Sequence, residues 1–578
     1  MKKMNNKSVI KHFSPNFLGM ISAMLLLAFA QGAWAQNPEI KYIERSWNGT
    51  SVVENERTIT NYTVLEGDPG NWKGLENGQY YVVKGNVEYK TLNVLGRSYL
   101  ILCDGAKLTC TGGILIDTRD GLYNVSLTIY SQGDGDNMGK LYVTNSYSET
   151  AGIGSPDCHP KYDYHAAQFS YCGKIEIHGG DIEAYGADYA AGIGSGLRFE
   201  GAYSAAENKN SLLFTMYGGK VYAKGGKCGA GIGGGYRFAA GTVKVYGGEL
   251  TAQGGKYAAG IGSGGDSELN NGAVHIYAGT VTARGGDYGA GIGGGKHTPG
   301  GLTYIYGGTV NAYGGEDGAG IGGGEDGEGG ETHISGGIVR AEGKSYGSGI
   351  GGGEDVYMFN YNGYGGNTYI TGGIVTAIAG GDCECRDAKC GSAIGCGDGV
   401  GDKDCDERAR ILEIADHMMV TGGDSETDIE RVFTAAERVP ACRWRNYVRI
   451  EPCQHTTPSV GSDRTEPFDY SVDDQESHTS HCRYCMTPMD ECPDLIPEQI
   501  LLSSSFDSMF DNGNTETGIN EITAPSAPSL PSDATNGSNL SNPSNSYFSL
   551  GGHRNSSLHP GLNIVLLDDG TVKKIFVK

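Results

Sequence analysis

A glycine-rich refrain recurs through the middle of the chain, and it constrains the fold more than any other feature. The isoleucine of "GIG" or "AIG" returns at Ile153, Ile193, Ile232, Ile261, Ile292, Ile321, Ile350 and Ile394. The intervals are 40, 39, 29, 31, 29, 29 and 44 residues, so the unit is 29 residues with insertions. Each unit carries three short apolar pieces; in one copy they are "AVHIY" (273–277), "TVTA" (280–283) and "GAGIG" (289–293). Val274, Ile276, Val281 and Ala283 fall on one side of the chain, with His275, Tyr277, Thr280 and Thr282 on the other. Period-two alternation with β-branched residues specifies strands rather than helix.

Three strands in 29 residues with no helical stretch between them predict one coil of an all-β, right-handed parallel β-helix, stacked on its neighbours at about 4.8 Å. The 97 glycines, about 17% of the 578 residues against a usual share of about 7%, then have a use. Gly-Gly before the second strand marks a sharp corner, where glycine takes positive φ without steric cost. Strands at 98–103, 114–117, 126–130 and 140–144 read as the first coils and "HMMVTGG" (417–423) as the last, so the array is expected over 90–425 after an N-terminal cap region at 36–89.

Insertions that share one corner of a solenoid point to function. From the "GIG" isoleucine to the inward residue of the next first strand is 13 residues in plain units, such as Ile292 to Ile305. It is 24 from Ile153 to Ile177, 23 from Ile193 to Met216 and 20 from Ile350 to Ile370, always at the same corner. These insertions are rich in aromatics, among them Tyr164, Tyr357, Tyr361 and Tyr364. The adjoining first strand points outward at two places. One file reads His178, Tyr217, Tyr246, Tyr277, Tyr306; the other includes His275, Tyr304, His333 and Tyr369.

A solvent-facing row of Tyr and His at coil spacing suits an extended glycan, whose pyranose rings present apolar faces at a similar repeat. The expected ligand residues are therefore His178, Tyr217, Tyr246, Tyr277, Tyr306, Tyr304, His275, Tyr357, Tyr361 and Tyr164. The plainer alternative is a structural ladder of good β-residues. A rival is a polysaccharide lyase or glycoside hydrolase on the same scaffold, which needs clustered carboxylates at outward strand positions. Those positions hold Tyr, Thr and His, so no catalytic residue is assigned. A surface spacer is the third reading. The acids gather instead in glycine corners, Glu316-Asp317, Glu325-Asp326 and Glu354-Asp355, where solvated carboxylates with weak calcium binding are expected.

After the array, Cys453-x-His455 followed by His478, His481 and Cys482-x-x-Cys485 has ligand types and spacing for tetrahedral zinc, with disulfides as the alternative in this 426–495 module. Cys383, Cys385, Cys390, Cys396 and Cys405 lie in an inserted loop and read as disulfides. Residues 496–545, rich in Ser, Asn, Pro, Asp and Thr, read as a disordered linker.

The chain opens with Lys2, Lys3, Lys7 and Lys11, an apolar "LGMISAMLLLAFA" and a small-residue "AWA" ending at Ala35, the grammar of a secretory signal peptide over 1–35. That apolar run is too short to span a bilayer, and none later is long enough. Without the four lysines of 1–35 the net charge moves from −24 to −28. Such a surface repels nucleic acid and anionic membranes.

The last segment, 546–578, regains β-character: "YFSLGGHR" from Tyr547 to Arg554, then "GLNIVLLDDGTVKKIFVK" from Gly561 to Lys578. It resembles the C-terminal sorting segments of type IX secretion substrates, with Asn563 where that family usually has Tyr and about 33 residues in place of a longer β-sandwich. The resemblance implies export across an outer membrane and either retention on the cell surface or release. The refrain over roughly 150–395 resembles the "AGIGGG" repeats of large secreted proteins of anaerobic bacteria, some described as carbohydrate-binding β-helices. An exported, non-catalytic binder of a polysaccharide or host surface is the expectation these patterns support.

Overall fold

The computed structural model describes residues 37–116, 124–145, 149–156, 172–197, 212–267, 272–356, 363–380, 391–397, 411–434, 436–444 and 446–453. It also describes the backbone of short strands at 468–470, 480–482, 546–549, 554–555, 561–566 and 572–577. The remaining residues, among them Tyr164, Tyr357, Tyr361, His455, His478 and Cys485, lie outside this set.

The repeats form a parallel β-helix with three walls. On the first, Thr242–Val245 pairs in parallel with Ala273–Ile276, placing Lys244 beside His275 and Val245 beside Ile276. On the second, Glu249–Gln253 pairs with Thr280–Arg284. The third is made of two-residue Ile-Gly strands, Ile261–Gly262 beside Ile292–Gly293. Inward positions form continuous files: the Ile column of the third wall and the Ala column Ala223, Ala252, Ala283, Ala312 of the second are buried throughout. One coil supplies too little apolar surface to stand alone. Stacking buries these files against each other and pairs each strand of an interior coil with the coils on both sides.

The refrain's glycine is required by geometry at one place above all. Gly293, after Ile292, has φ +132°, and a Cβ there would sit 2.1 Å from the carbonyl oxygen of Gly322 in the next coil. The same close approach recurs at Gly233, Gly262 and Gly322. The corner glycine before the second strand, as at Gly279 with φ +88°, takes the left-handed conformation expected for it.

The coils begin earlier than residue 90: strand Thr63–Leu65 pairs in parallel with Tyr80–Val83, which pairs with Arg97–Leu102. These first coils fill their core with Leu and Val, including Leu92, which through Ile114 is in register with Ile153 of the first Ile-Gly strand. Before them comes a hairpin of two eight-residue strands, β1 (Ile40–Trp47) and β2 (Val52–Ile59), paired antiparallel. At the other end, strand Tyr447–Pro452 pairs antiparallel with residues 375–378 of the last full coils and with Met418–Gly423. That strand belongs to the segment the sequence assigns to the Cys/His module, and it closes the open sheet edge that "HMMVTGG" would otherwise leave. The C-terminal strands form a separate four-stranded antiparallel sheet within residues 495–578.

Candidate functional site

Register carries the outward Tyr and His side chains into two adjacent files on the first wall. In one, His178, Tyr217, Tyr246, Tyr277 and Tyr306 follow each other with ring centroids 5.0, 5.2, 4.5 and 4.6 Å apart. In the other, His275, Tyr304, His333 and Tyr369 are spaced 4.9, 4.9 and 4.5 Å. The files lie side by side, with Tyr304 6.3 Å from Tyr306. Interplanar angles of 7–16° along the two files from Tyr246 onward mean that the faces of the interior rings are spent on one another. What the interior of the row turns outward is therefore mainly ring edges rather than the ring faces the sequence suggested for sugar stacking, with His275 Nδ1 buried and Tyr306 at the end of its file the most exposed ring.

Burial raises the pKa of each of the Tyr217, Tyr246, Tyr277, Tyr304 and Tyr306 phenols, so they stay protonated and able both to donate and to accept. Burial, with Lys244 nearby, lowers that of His275 and keeps the ring neutral. His333 Nε2 lies 2.7 Å from Glu331 Oε1.

The row expected to face solvent is covered over its first half. β1 runs along the file: Tyr42 packs on Tyr130 at 4.7 Å, and Trp47 lies 5.2 Å from Tyr246 and 5.6 Å from Tyr277. Five residues of strand span about 17 Å, close to the three to four coil steps of about 4.8 Å between those contacts. Arg45 pins the crossing. Its backbone N–H donates to His178 Nδ1 at 2.9 Å, and its guanidinium donates to the His178 carbonyl, Asp134 and Glu54. His178 is consequently 6% exposed, and burial pushes its imidazole down to about 4. It holds the hairpin rather than solvent. Tyr217 and Tyr246 are half-buried, whereas Tyr306, beyond the hairpin, is 44% exposed.

Sequence reasoning passed over Tyr42, Arg45 and Trp47. The available signal was Asn48-Gly49 between two strand-like runs, a hairpin turn. Asn48 Oδ1 accepts from the N–H groups of Thr50 and Ser51, and Gly49 has φ +101°.

The acidic corners are also less exposed than expected: Asp317, Glu325, Asp326 and Asp355 are each under 9% exposed. Turns of successive coils pack on one another there, as where Glu325 N–H donates to the Tyr288 carbonyl. Lys296 stands 2.9 Å from Glu325 and 4.6 Å above the Tyr288 ring. His297 bridges Asp266 at 2.8 Å and Asp326 at 3.4 Å, and these contacts hold its imidazolium up to about 9. Among the described residues no group of three or more His, Cys, Asp or Glu has the arrangement to hold a metal ion, so calcium gains no support at these corners.

Of the zinc set, Cys453 is buried beside the end of strand Tyr447–Pro452, and its N–H donates to the His417 carbonyl. His481 and Cys482 occupy a short strand paired with 468–470. The other three ligands, like Tyr164, Tyr357 and Tyr361, are outside the described residues. Cys396 is disulfide-bonded, and Tyr364 packs against it inside the fold.

No helix among the described residues is long and apolar enough to cross a membrane. No curated protein and no solved structure matches the chain. A family model described as a beta helix repeat matches residues 175–197, 214–236, 243–265, 274–296, 304–325, 333–354 and 369–398. Each match begins on a first-wall strand and ends beyond the Ile-Gly strand of the same coil, so the matched repeat is one coil of the parallel β-helix across residues 175–398.

Proposed function

We propose that the protein is an exported, non-catalytic binder of an extended, neutral glycan, and that the open part of the two aromatic files is its contact surface. The observation that carries this is the double row beyond the hairpin, Tyr306, Tyr304, His333 and Tyr369, in which Tyr306 is exposed, the others are half-buried and the rings repeat at coil spacing. Three coil steps from His275 to Tyr369 span about 14 Å, the length of a few linked sugars. Phenols and imidazoles offer donors and acceptors to hydroxyl groups. Lys244 and Glu331 flank the row with opposite charges, and the chain's net charge of −24 disfavours an acidic polymer. β-Helix repeats are typical of adhesin-like and carbohydrate-active proteins, which fits either binding or degradation.

Export is supported by the signal-like residues 1–35 and by the resemblance of 546–578 to type IX sorting segments, whose β-character agrees with the small antiparallel sheet there. The test of binding is a glycan array probed with the mature full chain, repeated with Tyr304→Ala/Tyr306→Ala. The expected result is retention on one class of neutral polysaccharide that the double variant loses. New reducing ends, or absorbance of an unsaturated product, on incubation with that polysaccharide would replace binding by catalysis.

A further inference from the structure

The interior rings of the stacked files cannot give a sugar what aromatic binding surfaces usually give, an open ring face, because each is sandwiched by its neighbours. Only an end ring such as Tyr306, 44% exposed, has a ring on one side alone. Tyr246 has Tyr217 on one side at 9° and Tyr277 on the other at 16°. Trp47 is different. Tyr246 and Tyr277 are 4.5 Å apart, and the indole centroid is 5.2 and 5.6 Å from them. A point at those distances lies beside the pair, level with the gap between them, and not within the stack. Its plane is inclined by 31° and 47° to the two Tyr rings. At those inclinations the indole is nearer parallel than perpendicular to the Tyr rings, so its two faces look obliquely along the file, one toward the covered stretch and one toward the open stretch, and the residue is half-buried. It stands where the covered stretch of the file ends and the open stretch, from Tyr277 to Tyr306, begins.

The indole is also held firmly. Two residues before it, Arg45 is 3% exposed and tied to His178, Asp134 and Glu54, and the Asn48-Gly49 turn follows it directly. A rigid, inclined aromatic face at the end of a polar ladder is the arrangement that stacks a terminal pyranose while the ladder reads the hydroxyls of the sugars behind it.

We infer that Trp47, contributed by the N-terminal hairpin, is the end subsite of the strip: it stacks on the terminal sugar of a neutral oligosaccharide whose chain runs on over Tyr306, Tyr304 and His333. This rests on the glycan reading above and adds to it a polarity and a boundary. The hairpin sets where the ligand stops, and its tryptophan recognises the ligand's end.

The test uses the mature full chain with the neutral hexasaccharides of cellulose, xylan and mannan as probes, followed by tryptophan fluorescence and calorimetry. One of them should give a saturable change in fluorescence that disappears in Trp47→Phe, while calorimetry still shows that variant binding. Trp47→Ala should bind about tenfold more weakly, a loss of the size expected for one stacking contact. Hydrogen exchange at residues 40–59 checks that the hairpin stays docked, and Trp47→Leu serves in its place if the alanine variant releases it. Binding that Tyr304→Ala/Tyr306→Ala abolishes but Trp47→Ala and Trp47→Leu leave unchanged would overturn the subsite and keep the glycan strip. Absence of binding to all three hexasaccharides and to a glycan array would overturn both.

Discussion

The aromatic file has two halves built from the same residue types, and they serve different ends. In the lower half Tyr130, His178, Tyr217 and Tyr246 lie beneath a hairpin, and His178 receives the Arg45 N–H. In the upper half Tyr306, Tyr304, His333 and Tyr369 stack with similar spacing beyond the hairpin's aromatic contacts, with Tyr306 exposed and the other three half-buried. A ladder of stacked Tyr is therefore a structural device that becomes a recognition surface only where the chain leaves its edges uncovered. Residue type alone does not separate the two uses; what packs on the file does.

The largest expected effect comes from unpinning the hairpin. Arg45→Ala removes a buried cation and strands its partners, a loss on the order of 3 kcal/mol in hairpin docking. Hydrogen exchange at 40–47 should then accelerate by about a hundredfold while the second-wall strands keep their protection. Unchanged exchange would mean that the two halves of the file are not distinguished by this contact.

Acid should act at the same place. The folded-state value of His178, about 4, lies below its ordinary 6.5, so the unfolded or undocked state binds the proton more readily. Its contribution is complete above pH 6.5, declines as pH falls through the interval from 6.5 to 4, and is spent below that. The full loss is up to about 3 kcal/mol. His178→Asn, which keeps an acceptor for the Arg45 N–H but cannot take a proton there, should flatten that pH dependence of exchange in β1.

A smaller contrast comes from truncating one ring in each half. Tyr217→Ala, under the hairpin, should cost about 2 kcal/mol in urea unfolding, and Tyr306→Ala, in the open half, less than about 1. Equal costs would argue that the open rings serve the fold as much as the covered ones do. The smallest effect lies off the file and has the opposite sense with pH. His297 titrates above its ordinary value, near 9, so its bridge between Asp266 and Asp326 helps below pH 6.5 and is lost as pH rises through 9. A proton NMR titration of that imidazole should show the high value, and Asp266→Asn should lower it.

Much of the scaffold was legible because its signals are local and repeated. Alternation at 273–277 and 280–283 defined two strands per unit, and the 29-residue interval defined the coil. Gly279 and Gly293 follow from backbone sterics that hold in every unit. The row Tyr246, Tyr277, Tyr306 followed as well, since in-register stacking makes equal positions vertical neighbours. The orientation of its rings did not follow. Nor did the burial of Asp317, Glu325, Asp326 and Asp355, which depends on how turns of successive coils press together.

The amino-acid sequence by itself determined a parallel β-helix, the residues of its inner files and the existence of an outward Tyr/His column, because each depends on a period carried by the chain. Only the tertiary structure decided which part of that column is open. The deciding contact joins Arg45 to His178, 133 positions apart, and Trp47 to Tyr246 and Tyr277 further still. Non-repeating segments choose their partners by packing and hydrogen bonding across such distances, and no periodicity within the chain encodes that choice.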